Sequence, residues 1–316
     1  MTMNPPDPGE STDSWSEWLL GRRHGGDAIH EPVVRSKVEP IRDRVLDGAG
    51  LRSGMVLVDV GAGDGLIAFG AFERVGPSLT AVLVDVSKPL LMRAEQRAVE
   101  CGVRDRCTFV QALAERLDGV ADASADVVAT RSVLAYVSDK AAAAREFHRV
   151  LKPGGRLSIA EPINRDEAVH LAAFSKFLLS SEGRTVSATV RLMHRCRAAQ
   201  LASTAEEIQN NPLTNFSERD LIQYFQRSGF DEIHLELHID IVRQAAIAWD
   251  TFIDISPRPD CPTLREVFAA QLSGTEQRQL EEGLRPLVEA GQHRSREATA
   301  YLTASKPVEQ SGMAQR

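Results

Sequence analysis

Short runs of apolar residues alternate with segments of helical periodicity through the middle of the chain. Five runs predict strands, at residues 56–60, 80–84, 107–111, 127–130 and 156–160. Three helices are predicted between them, bounded by capping residues, glycine or proline. Consecutively apolar strands are typical of a parallel sheet covered on both faces, and their alternation with helices predicts right-handed crossovers. The expected fold class is therefore α/β, with a doubly wound, mostly parallel sheet.

A more polar region precedes these elements. Residues 1–14 are polar and contain proline, which predicts a disordered tail. Trp15 and Trp18 then lie in a short helix, which a glycine-rich basic loop and an amphipathic helix containing Pro40 follow. We predict that residues 15–53 form a helical lid over a ligand, with a helix that only packs on the outside as an equal alternative.

The stretch VLVDVGAGDG, residues 56–65, ends a strand and opens a helix through three glycines. Glycine permits positive φ and close approach to the backbone, and the first helical turn has free N–H groups. The turn is therefore predicted to bind a polar ligand. Leu66 stands where the dinucleotide fingerprint needs its third glycine, which disfavours an NAD-dependent oxidoreductase. Asp85 ends the next strand, where a carboxylate can accept from both hydroxyls of a ribose.

The composition favours a small-molecule partner. A formal net charge of -7 and a hydrophobic content of 43% argue against a nucleic-acid partner or a membrane anchor. No apolar run reaches the roughly 20 residues of a membrane span, and no signal-peptide pattern is present, so a cytoplasmic protein is expected. The four cysteines form no CxxC pair and are expected to be reduced. No metal is predicted, and homodimerisation is left open.

Four motifs, in order and spacing, resemble those of the class I S-adenosylmethionine-dependent methyltransferases. They are VLVDVGAGDG, VLVDVS, ADVVATRSVLAYVSD and EFHRVLKPGGRLSIAEP. The resemblance implies a Rossmann-like fold, S-adenosyl-L-methionine as the cofactor and a binding core over residues 54–163. Such folds often end in an antiparallel strand pair, here 230–241 and 298–304, which makes the expected sheet seven-stranded.

The rest of the chain would surround this core. Residues 164–229 would form a helical cap insertion, 230–306 would complete the sheet with a second helical insertion, and 307–316 would form a tail. The strand 230–241 places His234, Glu236 and His238 on one face, which could hold a metal or a substrate, although a solvated face is preferred. Five apolar cap residues suggest a small or medium organic substrate or, by default, helix packing: Phe174, Phe177, Leu178, Leu192 and Met193.

The resemblance also assigns cofactor contacts. Asp59 and the backbone of the turn would hold the methionine part, Asp85 the ribose and Val86 one face of the adenine. The full implied set is Asp59, Gly61, Ala62, Gly63, Gly65, Asp85, Val86, Leu113, Ala114, Glu115, Thr130, Arg131 and Ser132. Leu113 departs from the family, since many members carry an aspartate there that accepts from the adenine amino group. Backbone groups or Glu115 would have to substitute.

A sulfonium is a strong methyl donor, so the protein chiefly has to place the acceptor in line with the methyl group. The candidate catalytic residues follow strands four and five: Arg131, Tyr136, Glu161 and Asn164. Further candidates in the lid and cap are Arg23, His24 and His194. We expect a methyltransferase that acts on a small or medium organic molecule. Two alternatives stay open: a non-methylating use of S-adenosylmethionine, such as intramolecular cyclisation, and a non-catalytic binding protein.

Overall fold

Seven strands form one sheet in the computed structural model, which describes residues 12–308. They are β1 (Val56–Val60), β2 (Thr80–Asp85), β3 (Cys107–Gln111), β4 (Ala125–Arg131), β5 (Leu151–Pro162), β6 (Asp231–Arg243) and β7 (Arg294–Ser305). Their order is β3-β2-β1-β4-β5-β7-β6, and only β7 runs antiparallel to its neighbours in the described sheet. The predicted doubly wound, mostly parallel fold is confirmed. The carboxyl ends of β1 and β4 flank the topological switch point, where such sheets bind ligands.

Helices cover both faces of the sheet. Along β1, Leu57 faces one layer and Val58 the opposite layer, and both side chains are fully buried. One layer contains α2 (Glu31–Ala49), α3 (Leu66–Val75) and α4 (Lys88–Glu100). The other contains α5 (Lys140–Val150) and α9 (Glu218–Arg227). Because each buried large apolar side chain stabilises the fold by about 1.5–3 kcal/mol, these two layers hold the strand ends in place.

The other helices build the lid and the cap. They are α1 (Ser14–Leu20), α6 (Arg165–Leu178), α7 (Ala188–Gln200), α8 (Ala205–Asn210), α10 (Trp249–Asp254), α11 (Leu264–Gln271) and α12 (Gly274–Glu289). Helices α7, α10, α11 and α12 share an apolar core that includes Trp249, Phe268 and Leu280. The segments predicted as two insertions therefore contribute to one cap.

The boundaries of the predicted lid and tails differ in detail. The predicted tail 1–14 extends too far, because the Asp13 carboxylate accepts from the Ser16 N–H at 2.8 Å and caps α1. The rest of that tail, 1–11, and residues 309–316 lie outside the described chain. Helix α2 continues through Pro40 as predicted. Strands β6 and β7 are longer than predicted and stay paired from Asp231 and Ser305 to Arg243 and Arg294.

The polar face of β6 carries ion pairs. Glu236 forms a salt bridge with Arg44 of α2 and lies 3.3 Å from the His234 ring and 3.4 Å from the His238 ring. Within residues 12–308, no group of three or more His, Cys, Asp or Glu side chains is arranged to hold a metal ion. His234 and Glu236 are exposed on this face, His238 is half-buried, and Arg44 of α2 borders it.

Candidate functional site

The glycine turn after β1 is a bare stretch of backbone. Gly61, Gly63 and Gly65 have φ values of +66°, +55° and +82°. At Gly61 a Cβ atom would lie 2.1 Å from Val133 Cγ2, so only glycine fits beneath the loop that follows β4. The turn therefore brings backbone N–H groups to the switch point with no side chain in the way.

Two carboxylates lie beside this turn. Asp59 is buried; its Oδ2 accepts from the Ala68 N–H at 3.0 Å, whereas its Oδ1 has no hydrogen-bond partner. Burial raises the pKa of Asp59 to about 8, with repulsion from Asp85 adding to the shift. Asp85 accepts from the Gly63 N–H at 2.7 Å and from the Ser87 N–H at 2.9 Å. Each Asp85 oxygen keeps lone pairs for a ligand.

A cavity of about 2580 Å³ opens from the turn and extends between the lid and the cap. It is lined by most of the predicted cofactor residues: Asp59, Gly61, Ala62, Gly63, Asp85, Val86, Leu113, Ala114, Glu115, Arg131 and Ser132. Gly65 and Thr130 do not line it. Gly65 begins α3 against the Phe69 ring, and Thr130 is fully buried within the sheet. The structure thus brings eleven of the thirteen predicted positions to one cavity.

Apolar side chains form the side of the cavity predicted for the adenine. Val86 and Leu113 are 38% and 52% exposed, which is unusual for large apolar residues beside buried strands. The Gln111 amide donates to the Val86 carbonyl at 3.0 Å and fixes the backbone between them. Two exposed apolar side chains that face one cavity suit a flat aromatic ring. Glu115, the predicted alternative acceptor for the adenine amino group, also lines this cavity.

The four predicted catalytic candidates lie at the ends of β4 and β5 or in the segments that follow them. Arg131 and Tyr136 line the cavity, as does Asn164 at the start of α6. Glu161 does not; its carboxylate is buried and accepts from the Val133 N–H at 2.9 Å and the Ala135 N–H at 3.1 Å. This corrects the sequence-based expectation, because Glu161 faces the loop backbone and not the acceptor. Burial raises the pKa of Glu161 to about 7.

We expect Glu161→Gln to destabilise the protein by about 1–3 kcal/mol in urea denaturation. Glutamine has one acceptor oxygen, so either the Val133 or the Ala135 N–H would face an amide NH₂ and stay unsatisfied. Glu282→Gln, on the exposed part of α12, is the matched control and should change the free energy of unfolding by less than about 0.5 kcal/mol. Equal stability of the two variants would contradict the positioning role of Glu161.

The lid contacts both the cavity and the cap. Trp15 packs edge-on against Tyr136, with ring centres 5.0 Å apart, and Trp18 Nε1 donates to the Ser256 carbonyl at 2.9 Å. At the glycine turn, a Cβ atom on Gly63 would lie 3.3 Å from Leu19 Cδ2. Helix α1 therefore closes over the turn. Its contacts with Tyr136 and Ser256 place it against both the sheet and the cap.

The cap residues that meet the cavity are not those suggested by the sequence. The five apolar candidates do not line it; Phe174 and Phe177 stack on each other and Leu192 belongs to the cap core. His194 hydrogen-bonds Ser175 at 2.9 Å and also lies away from the cavity. The cap instead presents His170 and Arg258, which the sequence did not single out. The one available signal for Arg258 was its place in the proline-broken loop SPRPDCP.

The seven-stranded sheet with a glycine turn at its switch point is the fold of the class I S-adenosylmethionine-dependent methyltransferases. The sequence model of a family described as a methyltransferase domain matches residues 51–229, more than half of the chain. The chain belongs to that family.

Curated relatives agree with this assignment. The ubiquinone/menaquinone biosynthesis C-methyltransferase UbiE of Pseudomonas putida is 31% identical over 188 residues, 58% of this chain and 68% of the relative. The UbiE protein of Hahella chejuensis is 38% identical over 37% of this chain and 46% of its own length. The nocamycin O-methyltransferase of Saccharothrix syringae is 35% identical over 39% of this chain and 44% of its own length. The chain thus spans less than half of the last two relatives.

A solved structure shows the same fold. In a complex with the Haloferax volcanii Trm112 methyltransferase activator, a chain described as a methyltransferase aligns with 94% of this chain and 100% of its own length. The TM-score is 0.50 and the identity 18%, so the likeness concerns the fold alone.

The site residues fit S-adenosylmethionine, the cofactor of the family. Asp59 Oδ1 is a buried acceptor without a partner beside the glycine turn, where the cofactor's ammonium group would supply a donor. The free lone pairs of Asp85 would accept from the ribose hydroxyls, and Val86 and Leu113 would hold the adenine between them. The hydrogen-bond acceptors therefore match the ammonium group and ribose of S-adenosylmethionine, and the apolar surfaces match its adenine.

Binding of S-adenosylhomocysteine should tighten as the pH rises, by up to about tenfold per unit between about pH 6.5 and 8. Below its pKa of about 8 Asp59 is protonated, whereas the ligand's ammonium group favours the carboxylate. Calorimetric titration of wild type and Asp59→Asn over this range measures the effect. The variant should lose the pH dependence, and Asp105→Asn, an exposed control, should keep it. A flat wild-type profile would show that Asp59 does not meet the ammonium group.

Proposed function

We propose that this protein transfers the methyl group of S-adenosylmethionine to a small or medium organic molecule. The observation that carries the proposal is the size and place of the cavity, about 2580 Å³, which begins at the glycine turn and Asp85 and continues between the lid and the cap. Pockets for one drug-sized ligand measure about 300–1000 Å³. The volume therefore accommodates the cofactor and a second molecule together, which in-line transfer requires.

When bound, the cofactor supplies an electrophilic methyl group on a sulfonium. The residues of this chain would bind and orient. Asp59, the glycine turn and Asp85 would hold the donor, while Tyr136 and Asn164 would border the acceptor. Burial raises the pKa of Tyr136 to about 12, so its hydroxyl keeps its proton at neutral pH and serves as a hydrogen-bond donor and not as a base. Positioning of the two reactants would then supply most of the rate enhancement.

The test incubates the full chain with S-adenosylmethionine and a panel of hydroxy-, amino- and keto-substituted organic molecules, followed by chromatography. S-adenosylhomocysteine formed together with a methylated product supports the proposal. Methylthioadenosine as the nucleoside product would replace it with cyclisation of the cofactor's own chain. Calorimetry that detects no binding of S-adenosylhomocysteine would rule out any catalysis that depends on this cofactor.

We further propose a cytoplasmic location and no nucleic-acid partner. Within the described chain all four cysteines are free, three of them buried, which agrees with a reducing compartment. The net charge of -7 disfavours a polyanionic partner. Separately, each helix among residues 12–308 is too short or too polar to cross a bilayer. Fractionation of cells that express the tagged protein tests the location.

A further inference from the structure

Three arginines from three different parts of the chain line the cavity beyond the glycine turn. Arg23 follows the lid helix α1, Arg131 ends β4, and Arg258 lies in the cap loop between α10 and α11. Tyr136 lines the same region. Lid, sheet and cap therefore each contribute one guanidinium to the same cavity.

Several contacts hold these groups close together. Trp15 packs on Tyr136 at 5.0 Å, and the Arg23 guanidinium lies over the Trp18 ring, 5.3 Å from its centre. Trp18 in turn donates to Ser256, two residues before Arg258. The electrostatics agree: burial and then repulsion from Arg131 lower the pKa of Arg23 to about 10. Burial raises the pKa of Tyr136, whereas all three arginines act to lower it, as nearby positive charges do.

None of the three arginines forms an ion pair with a carboxylate of residues 12–308. Arg131 donates to the Ser132 hydroxyl at 3.3 Å, and Arg258 donates to the Gln200 carbonyl. Two acids near Arg131, Asp64 and Glu161, have other partners, whereas Asp59 keeps one free carboxylate oxygen. Asp64 pairs with Arg35 at 3.5 Å and Arg97 at 4.0 Å, and Glu161 accepts from two backbone N–H groups. These three arginines therefore line the cavity without a direct ion-pair partner among residues 12–308.

We propose that Arg23, Arg131 and Arg258 form a binding site for the acidic group of the methyl acceptor, which is an organic acid ionised at neutral pH. This inference rests on the proposed function. Partly buried guanidinium groups without a direct ion-pair partner are unfavourable, and an anion that bridges them would supply charge-assisted hydrogen bonds. The planar fork of arginine suits a carboxylate, and the protonated Tyr136 hydroxyl adds a donor.

The bound acid is an anchor and not the atom that is methylated. Guanidinium contacts stabilise the anion before reaction, and methylation would remove its charge and weaken those contacts in the transition state. A nucleophile elsewhere on the acceptor is therefore expected to face the methyl group. The product would keep its acidic group.

The test uses benzoate and its uncharged isostere benzamide as probes of the full-length protein saturated with S-adenosylhomocysteine. Binding is followed by the fluorescence of Trp15 and Trp18, which lie beside the cluster. Benzoate should bind at least tenfold more tightly than benzamide. Arg258→Ala and Arg23→Ala should each weaken benzoate binding roughly tenfold or more while leaving benzamide unchanged, since each removes hydrogen bonds to a charged group.

Matched variants separate charge from folding. Arg258→Lys keeps the charge and should retain part of the benzoate preference, and Arg219→Ala, whose side chain is 87% exposed, should behave as wild type. Equal binding of the two probes by the wild-type protein would overturn the inference. So would an Arg258→Ala variant that weakens S-adenosylhomocysteine itself tenfold, because the cluster would then hold the cofactor's carboxylate. Failure of the wild type to bind S-adenosylhomocysteine would instead overturn the proposed function.

Discussion

Asp85→Ala is expected to weaken binding of S-adenosylhomocysteine on the order of 100-fold. The wild-type carboxylate accepts from the Gly63 and Ser87 N–H groups and is placed to accept from both ribose hydroxyls. Hydrogen bonds to a charged group contribute about 1.5–3 kcal/mol each, so the loss of two such bonds to the ribose weakens binding by at least about 100-fold. The glycine turn would also lose its anchor at Gly63. Calorimetric titration of the purified variant measures the change.

Two controls accompany Asp85→Ala. Asp85→Asn keeps the shape and one acceptor oxygen, so its affinity should fall between those of the alanine variant and the wild type. Asp64→Asn removes an acid of the same turn that pairs with Arg35, and it should change the affinity much less. Thermal unfolding shows whether each variant is folded. A folded Asp85→Ala protein that binds within threefold of the wild type would refute the ribose contact and favour a site of another kind.

Gly61→Ala should destabilise the protein by about 2–5 kcal/mol and weaken cofactor binding more than tenfold. The residue has a φ of +66°, which costs an alanine about 1–2 kcal/mol. The new methyl group would lie 2.1 Å from Val133 Cγ2, so the loop that carries Arg131 and Tyr136 must move away. Overpacking of this kind costs about 1–3 kcal/mol. Urea denaturation and calorimetry give the two quantities.

Gly54→Ala is the matched control for backbone strain. Gly54 has a φ of +82°, but a Cβ there meets nothing within 4 Å. The substitution should therefore destabilise the protein only by the energy of placing alanine at positive φ, and it should not change cofactor binding. Adding Val133→Ala to the Gly61→Ala protein should recover part of the lost stability, because it removes the clashing methyl groups. If Gly54→Ala and Gly61→Ala lowered the free energy of unfolding equally, the clash with Val133 would not contribute to the destabilisation.

Local sequence signals predicted the parts of this protein that depend on neighbouring residues. Apolar runs of strand length gave the parallel strands, since a strand covered on both faces has no polar side. The glycine turn and Asp85 were recognisable because positive φ and a carboxylate at a strand end are properties of single positions. Even here one residue was misassigned: Glu161 follows its strand in the same way as Asp85, yet its side chain points to the backbone of the next loop.

The sequence by itself determined the fold class and pointed to the glycine turn and Asp85. It named Arg23 and Arg131 separately, and only the tertiary structure brought them to one cavity with Arg258. Arg23, Arg131 and Arg258 carry no shared motif, and more than 200 residues separate the first from the last. They are brought to one cavity because Trp18 donates a hydrogen bond to the Ser256 carbonyl and Trp15 packs on Tyr136. These contacts require lid, sheet and cap to pack against one another. Residues so far apart in the sequence are brought to one site by tertiary packing, which local sequence patterns do not predict.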